Sequence, residues 1–246
     1  MKVFSVIGIS DSGKTTTIEK LIKELIKRNY SVGTVKEIRS HDFKMDAEGT
    51  NTFVHRQAGA TLVTARGERE TGIMYQKRLS INEILSAYSH DIVILEGVRD
   101  TSAPKIVAAH DAESIEMRLD ETVFAITGRV SAKIDEYKGL PAINALTDVE
   151  KLADLIEEKV FDKLPDINCK KCGLSSCNEM CSLIIKGQRK RSDCIQSKQQ
   201  LIVKINGKEI AMIPFVENIF KNTVEGIAKE LKGYSSNGDI EICIKR

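Results

Sequence analysis

No stretch of this chain approaches the roughly 20 apolar residues needed to cross a bilayer, which argues against a membrane-spanning helix. Net charge is also small. The 37 Lys and Arg against 35 Asp and Glu leave +2, so composition offers no argument for nucleic-acid binding. The sequence shows no internal repeat and no low-complexity segment. Its 246 residues fit one large domain, or a medium domain with a small appendage. The opening apolar run is too short for a signal peptide, and a cytoplasmic location is expected. Cysteine is nearly confined to one place, with five of six between Cys169 and Cys194. In a reducing compartment such a cluster favours metal over disulfides.

What is present begins at the N-terminus. The apolar run Val3–Ile7 reads as a buried strand, and Ile18, Leu21, Ile22, Leu25 and Ile26 repeat at helical spacing. Between them lies Gly8-Ile-Ser10-Asp11-Ser12-Gly13-Lys14-Thr15-Thr16, a glycine-bounded phosphate-binding loop in the strand–turn–helix context it requires. Gly8 and Gly13 let the backbone curl so that successive N–H groups point inward, and the helix N-terminus adds partial positive charge. Lys14 is predicted to reach the β- and γ-phosphates, and the Thr15 hydroxyl to ligate Mg²⁺. These residues predict nucleoside triphosphate binding.

Strand and helix signals alternate through the first 161 residues, which argues for an α/β fold with a mainly parallel sheet. Strands are expected at Tyr30–Val35, Ala60–Thr64, Asp91–Leu95, Lys105–Ala109 and Thr122–Thr127, and helices at Leu79–Tyr88 and Asp148–Phe161. Leu164-Pro165-Asp166 breaks the pattern and sets an expected domain boundary, giving 1–163, a cysteine segment at 164–198, and a small α+β subdomain at 199–246. In the last, Leu201–Ile205 and Lys208–Met212 flank Asn206-Gly207, a hairpin signal. A helix is expected over Phe215–Leu231 and a period-two strand over Ile240–Ile244.

Glu96 follows an apolar strand, where an acidic residue can hold Mg²⁺ through water or polarise an attacking water. A cap or a loop salt bridge is the plainer role for it. The segment from Lys36 to Ala60 is polar and charged, and Asp46 within it is a third candidate for the magnesium set; His41 and Arg56, taken alone, read as surface residues. Downstream, Cys169-x2-Cys172-x4-Cys177-x16-Cys194 places three thiolates within nine residues and returns a fourth after a short helix-like stretch. Such a set can converge on the corners of a [4Fe-4S] cube. Structural zinc also takes four thiolates, but usually as two short knuckles separated by a longer loop. The iron–sulfur reading is preferred, with zinc and free thiols left open. Cys181 and Cys243 read as bystanders, and the basic run Lys186–Arg191 as a solvated loop.

The chain from Met1 to about Phe161 resembles the MobB family, molybdopterin-guanine dinucleotide biosynthesis protein B. The matching features are the loop at Gly8–Thr16, Lys36 with His41-Asp-Phe and Asp46, His55–Ala60, and Leu95-Glu96-Gly97 with Pro104-Lys-Ile. The cysteine segment, with Gly173, resembles the four-iron domain of Rnf-type electron-transport B subunits and of corrinoid iron–sulfur proteins. The first resemblance implies a slowly hydrolysing GTP-binding homodimer. It implies as partners a molybdopterin nucleotidyltransferase, which joins GMP to molybdopterin, and a client molybdoenzyme or tungstoenzyme. There are departures. Gly49-Thr-Asn51-Thr52 lacks an acidic side chain common in the family, Arg129 stands where an aspartate reading guanine is expected, and no Asn-Lys-x-Asp motif occurs. Guanine therefore rests on the resemblance alone. Two other readings stay open, a metallocentre-maturation ATPase whose cluster relays electrons, and a non-catalytic electron-transfer scaffold gated by nucleotide.

Overall fold

The structure, a computed structural model, describes residues 1–40, 43–198, 201, 203–205, 208–210, 214–235, 240–242 and 244. In chain order the first elements are β1 (Lys2–Gly8), α1 (Lys14–Lys27), β2 (Val32–Lys36), α2 (Asn51–Gln57), β3 (Leu62–Arg66), β4 (Thr71–Tyr75) and α3 (Ile81–Leu85). They are followed by β5 (Ile92–Glu96), β6 (Lys105–Ala108), α4 (Ala112–Glu116), β7 (Val123–Thr127), the short pair β8 (Glu136–Tyr137) and β9 (Leu140–Pro141), α5 (Val149–Lys159) and α6 (Cys177–Ile185). The chain divides into two compact units, Met1–Cys194 and Ile195–Arg246.

The first unit is built on a five-stranded sheet in the order β2-β5-β1-β6-β7, parallel throughout. Strands β1, β5, β6 and β7 are buried on both faces, so they read as near-continuous apolar runs, while the edge strand β2 is partly exposed. Alternate residues nevertheless serve different cores. Phe4 and Val6 of β1 join Ile18, Leu21 and Leu25 of α1 and Leu152 and Ile156 of α5. Ile7 packs with Val107, Ile115 and Ile126 across the sheet. The first core also takes in Cys177, Met180, Cys181, Ile185 and Cys194. The cysteine segment is thus packed into the same unit as the phosphate loop. Helix α5 ends at Lys159, ahead of Leu164-Pro165-Asp166, and Leu164 is itself buried in that core.

Three expected elements differ. The strand expected at Ala60–Thr64 starts two residues later, as β3, and pairs antiparallel with β4 in a hairpin separate from the main sheet. Gly59 at φ 104° and Ala60 complete the exit from α2, which delays the strand. The expected helix Leu79–Tyr88 shortens to α3, because Ser80 and Glu83 form a capping box that fixes its start. Its far end stops before Tyr88, whose hydroxyl donates to the Thr34 carbonyl at 2.7 Å. In the second unit, β10 (Lys204–Ile205) and β11 (Lys208–Glu209) pair antiparallel and α7 (Pro214–Lys229) follows. The Asn206-Gly207 turn lies outside the described residues. Ile240, Ile242 and Ile244 are exposed and not in a strand, so their alternation has no buried face to sustain it. Cys243 and His41 also lie outside the described residues.

One ion pair, between buried Lys105 and half-buried Asp120, ties β6 to the start of β7. Lys105, 3% exposed, donates to Asp120 at 2.8 Å, and Asp120 also accepts from the Thr122 amide and hydroxyl. Burial raises the Asp120 pKa, but the bonds from Lys105 and Thr122 outweigh it and hold the carboxyl below its ordinary value. A depressed carboxyl stabilises fully above its unfolded pKa and loses that stabilisation as pH falls through the folded one. Asp120→Asn, which strands the Lys105 charge, is expected to cost about 3 kcal/mol near neutrality in urea unfolding. The difference from the parent should shrink as pH drops towards about 2.

Candidate functional site

The loop between β1 and α1 is held by close backbone contacts. A Cβ on Gly8 would lie 2.2 Å from the Ala108 carbonyl, and one on Gly128 would lie 2.3 Å from that of Ser12. Only glycine fits at either place. Ser12 is fully buried and its hydroxyl donates to the Ile9 carbonyl at 2.9 Å, while His110 Nε2 lies 3.1 Å from the Ser10 carbonyl. Asp11 adopts φ 55° and Gly13 φ 98°. Gly13, the residue before α1, gives no side-chain cap, leaving N–H groups of the first turn for an anion. Gly8→Ala is expected to abolish triphosphate binding and to lower the thermal midpoint by several degrees, since backbone must move to admit the methyl.

The Lys14 ammonium donates to the Ile9 carbonyl, lying over the loop it would serve. Burial lowers its pKa, and the Glu96 charge opposes that shift. Thr15 Oγ1 donates to Glu96 Oε1 at 2.9 Å, and Lys36 Nζ meets the same oxygen at 2.7 Å. The expected hydroxyl–carboxylate pair is therefore assembled, with a cation already held against it. An oxygen pair of this kind suits Mg²⁺, a hard cation. Asp46 is placed differently. Its Oδ1 accepts from Thr50 at 2.8 Å and Thr52 at 2.9 Å, bracing the start of α2, and its hydrogen bonds do not reach Thr15 or Glu96. Its Oδ2 is buried with no hydrogen-bond partner among the described residues.

Beside the loop opens a cavity of about 510 Å³, bounded by Lys14–Thr17 on one side and by Arg129, Asn144 and Leu146 on the other. Sequence reasoning missed the Asn144–Leu146 wall. Asn144 Oδ1 accepts from the Leu146 amide at 3.0 Å, and its carbonyl accepts from the Asp148 amide at 2.8 Å, which fixes the wall just before α5. An Asn at the head of a short turn was the available signal.

Of the four cysteines, Cys177 and Cys194 are buried, and Cys169 and Cys172 are half-exposed. Cys172 packs against the core that holds the other two. The connecting loop contains Asp166, Asn168, Lys170 and Gly173, all at positive φ, and Asn168 Oδ1 accepts from the Cys177 amide at 2.7 Å. Burial pushes the Cys177 thiol up from its ordinary pKa, and Cys181, inside the core, rises further for the same reason. Among the described residues no three Cys, His, Asp or Glu side chains stand close enough to hold a metal ion. The donor chemistry of four thiols fits an iron–sulfur cluster; no three of their sulfurs are gathered in this structure. In the basic run, Arg191 is tied to the Asp162 and Lys163 carbonyls, while Lys186 to Lys190 are exposed.

A family model described as Molybdopterin guanine dinucleotide synthesis protein B, MobB, matches residues 3–129. The chain belongs to the MobB family. A second model, described as "Putative Fe-S cluster", matches residues 164–196 and takes in all four cysteines of the spacing. A Methanocaldococcus jannaschii protein named "Putative molybdopterin-guanine dinucleotide biosynthesis adapter protein" is 28% identical over 249 residues, covering 98% of this chain and 97% of that protein. A Haemophilus influenzae protein named molybdopterin-guanine dinucleotide biosynthesis adapter protein is 30% identical over 161 residues, covering 63% of this chain and 87% of its own length. The MobB likeness extends to the fold. The crystal structure of Bacillus subtilis MobB superposes with a TM-score of 0.54 at 22% identity, covering 66% of this chain and all of that one. Among the described residues no helix is long and apolar enough to cross a membrane.

Proposed function

We propose that this MobB-family protein binds GTP with Mg²⁺ at the Gly8–Thr16 loop and acts as a slow GTPase. In that role it assists the nucleotidyltransferase that joins GMP to molybdopterin. The observation that carries the reading is the meeting of Thr15 and Glu96 at 2.9 Å beside a glycine-cradled loop and an open cavity. Lys14 and the loop amides would hold the phosphates, and Thr15 with Glu96 would hold the metal. Magnesium supplies charge neutralisation to the β- and γ-phosphates when bound. Glu96 would then exchange Lys36 for the metal, and the cavity walls at Arg129 and Asn144 would receive the base. Asp46 is assigned to the α2 turn in place of the magnesium set. The test is calorimetric titration with GTP and with ATP, each with magnesium. GTP binding at least tenfold tighter supports the reading, and ATP preference turns it towards a metallocentre-maturation ATPase.

The cysteine module is proposed to carry a [4Fe-4S] cluster on Cys169, Cys172, Cys177 and Cys194, serving redox sensing or docking onto a client molybdoenzyme or tungstoenzyme. The two half-exposed ligands give the cleanest variants. Cys169→Ser or Cys172→Ser should lower bound iron from about four per chain towards zero after anaerobic purification. Zinc at one per chain in the parent would replace the cluster in this account. A homodimer is also proposed, supported by the β3–β4 hairpin, which lies outside the main sheet with Leu62, Ile73 and Tyr75 exposed.

A further inference from the structure

Four arginines gather along the segment that leaves β5. A cavity of about 550 Å³ is lined by Arg39, Arg78 and Arg99, and another of about 340 Å³ by Arg99 and Arg118. Three carboxylates also line them. Glu37 is held by Arg78 at 2.8 Å, Asp100 faces Arg78 at 3.5 Å, and Asp120 is held by Lys105 at 2.8 Å. Arg39, Arg99 and Arg118 are left with no carboxylate among the described residues. Arg39 donates only to the Gly97 carbonyl at 3.3 Å, and Arg118 only to the neighbouring Met117 carbonyl at 2.9 Å.

A structural arginine in the same unit looks different. Arg28 meets Glu24 at 2.9 Å, Asp154 at 2.7 Å and Glu157 at 3.0 Å, and so clamps α1 to α5. Each guanidinium carries five N–H donors, so most of those on the three unpaired residues are unspent. Arg118 is half-buried. Burial lowers its pKa, and the like charges of Arg99 and Arg39 lower it further. Arg39 and Arg99 are exposed and Arg118 half-buried, so their mutual repulsion is partly screened by water, and an anion between them would offset what remains.

We propose that Arg39, Arg99 and Arg118 form a second anion site, separate from the triphosphate loop, that binds a phosphate monoester on a small organic molecule. Planar guanidinium forks match the oxygens of a phosphate dianion in pairs. The cavities on either side of Arg99 leave room for the organic part. Ile7 of β1 also lines the cavity between Arg99 and Arg118, and the triphosphate loop begins at the next residue, Gly8, so the site lies beside that loop. The inference deepens the proposed function, since a protein assisting nucleotidyl transfer gains by holding the phosphorylated acceptor near its nucleotide.

The test uses the full chain, titrated calorimetrically with glycerol 3-phosphate, inorganic phosphate and magnesium GTP in turn. Glycerol 3-phosphate should bind Lys14→Ala as tightly as the parent, and inorganic phosphate should bind more weakly. Arg99→Ala and Arg118→Ala should each weaken the ester roughly tenfold or more. Arg99 is exposed, so its variant keeps the test clear of folding defects, and Arg99→Ala should leave GTP affinity unchanged. Equal ester affinity in the arginine variants, loss of ester binding in Lys14→Ala, or binding of inorganic phosphate alone would each overturn the site. If the ester binds and GTP does not, the second site stands and the GTP reading fails.

Discussion

Lys14→Ala is expected to weaken binding of magnesium GTP by at least a hundredfold while leaving the fold and the iron content unchanged. The size follows from what the residue does. Its ammonium donates within the loop to the Ile9 carbonyl, and burial has already lowered its pKa. Removing it takes away a charge-assisted contact in a desolvated setting, where one such bond contributes about 3 kcal/mol. Lys14→Arg is a useful companion, because it keeps the charge and loses the compact shape. Its affinity should lie between parent and alanine variant. Calorimetry with GTP, together with circular dichroism and iron analysis on the same samples, checks all three expectations. Near-parental affinity in Lys14→Ala would mean that the phosphates bind elsewhere.

The second large effect concerns stability and crosses the expected domain boundary. Met180 is 1% exposed and shares a core with Phe4 of β1, Leu21 of α1 and Leu152 of α5. Met180→Ala removes three heavy atoms from that core and should cost about 3 kcal/mol. For a unit of this size, a loss of that order lowers the thermal midpoint by roughly 6–12 °C. The whole of Met1–Cys194 should melt earlier in one transition, with the phosphate loop losing nucleotide protection at the same temperature. A P-loop portion that melts unchanged, while α6 unfolds separately, would show two independent folding units. The same packing makes a truncation after residue 163 a poor isolate of the nucleotide domain, because it strips Met180, Cys181 and Ile185 from one face of the sheet.

Much of this was legible in the chain. The Gly8–Thr16 loop announces itself because strand, glycine turn and helix must occur together for it to work, and Glu96 follows from its place after a buried strand. The parallel sheet follows from near-continuous apolar strands separated by helices. Other features depend on long-range contacts that local pattern does not carry. Asp46 sits at a plausible distance along the chain from the loop, but hydroxyls at Thr50 and Thr52 claim its Oδ1. The β4 strand is hidden behind the charged run Glu68-Arg-Glu70, and its exposed Ile73 and Tyr75 give no core-facing alternation. The burial of Cys177, Cys181 and Cys194 against β1 and α5 cannot be read from cysteine spacing, because spacing reports ligand order and says nothing of what lies behind the ligands. The arginine group is invisible for the same reason, since Arg39, Arg99 and Arg118 come from three separate connections.

The measurement that bears most directly on this account is a titration of the anaerobically purified full chain with GTP and magnesium. One saturable site per chain is the predicted result, weakened strongly by Lys14→Ala and, when magnesium replaces chelator, tightened less in Glu96→Gln than in the parent. A folded, iron-containing sample that gives no heat of association and no rise in melting temperature with either purine triphosphate would contradict it.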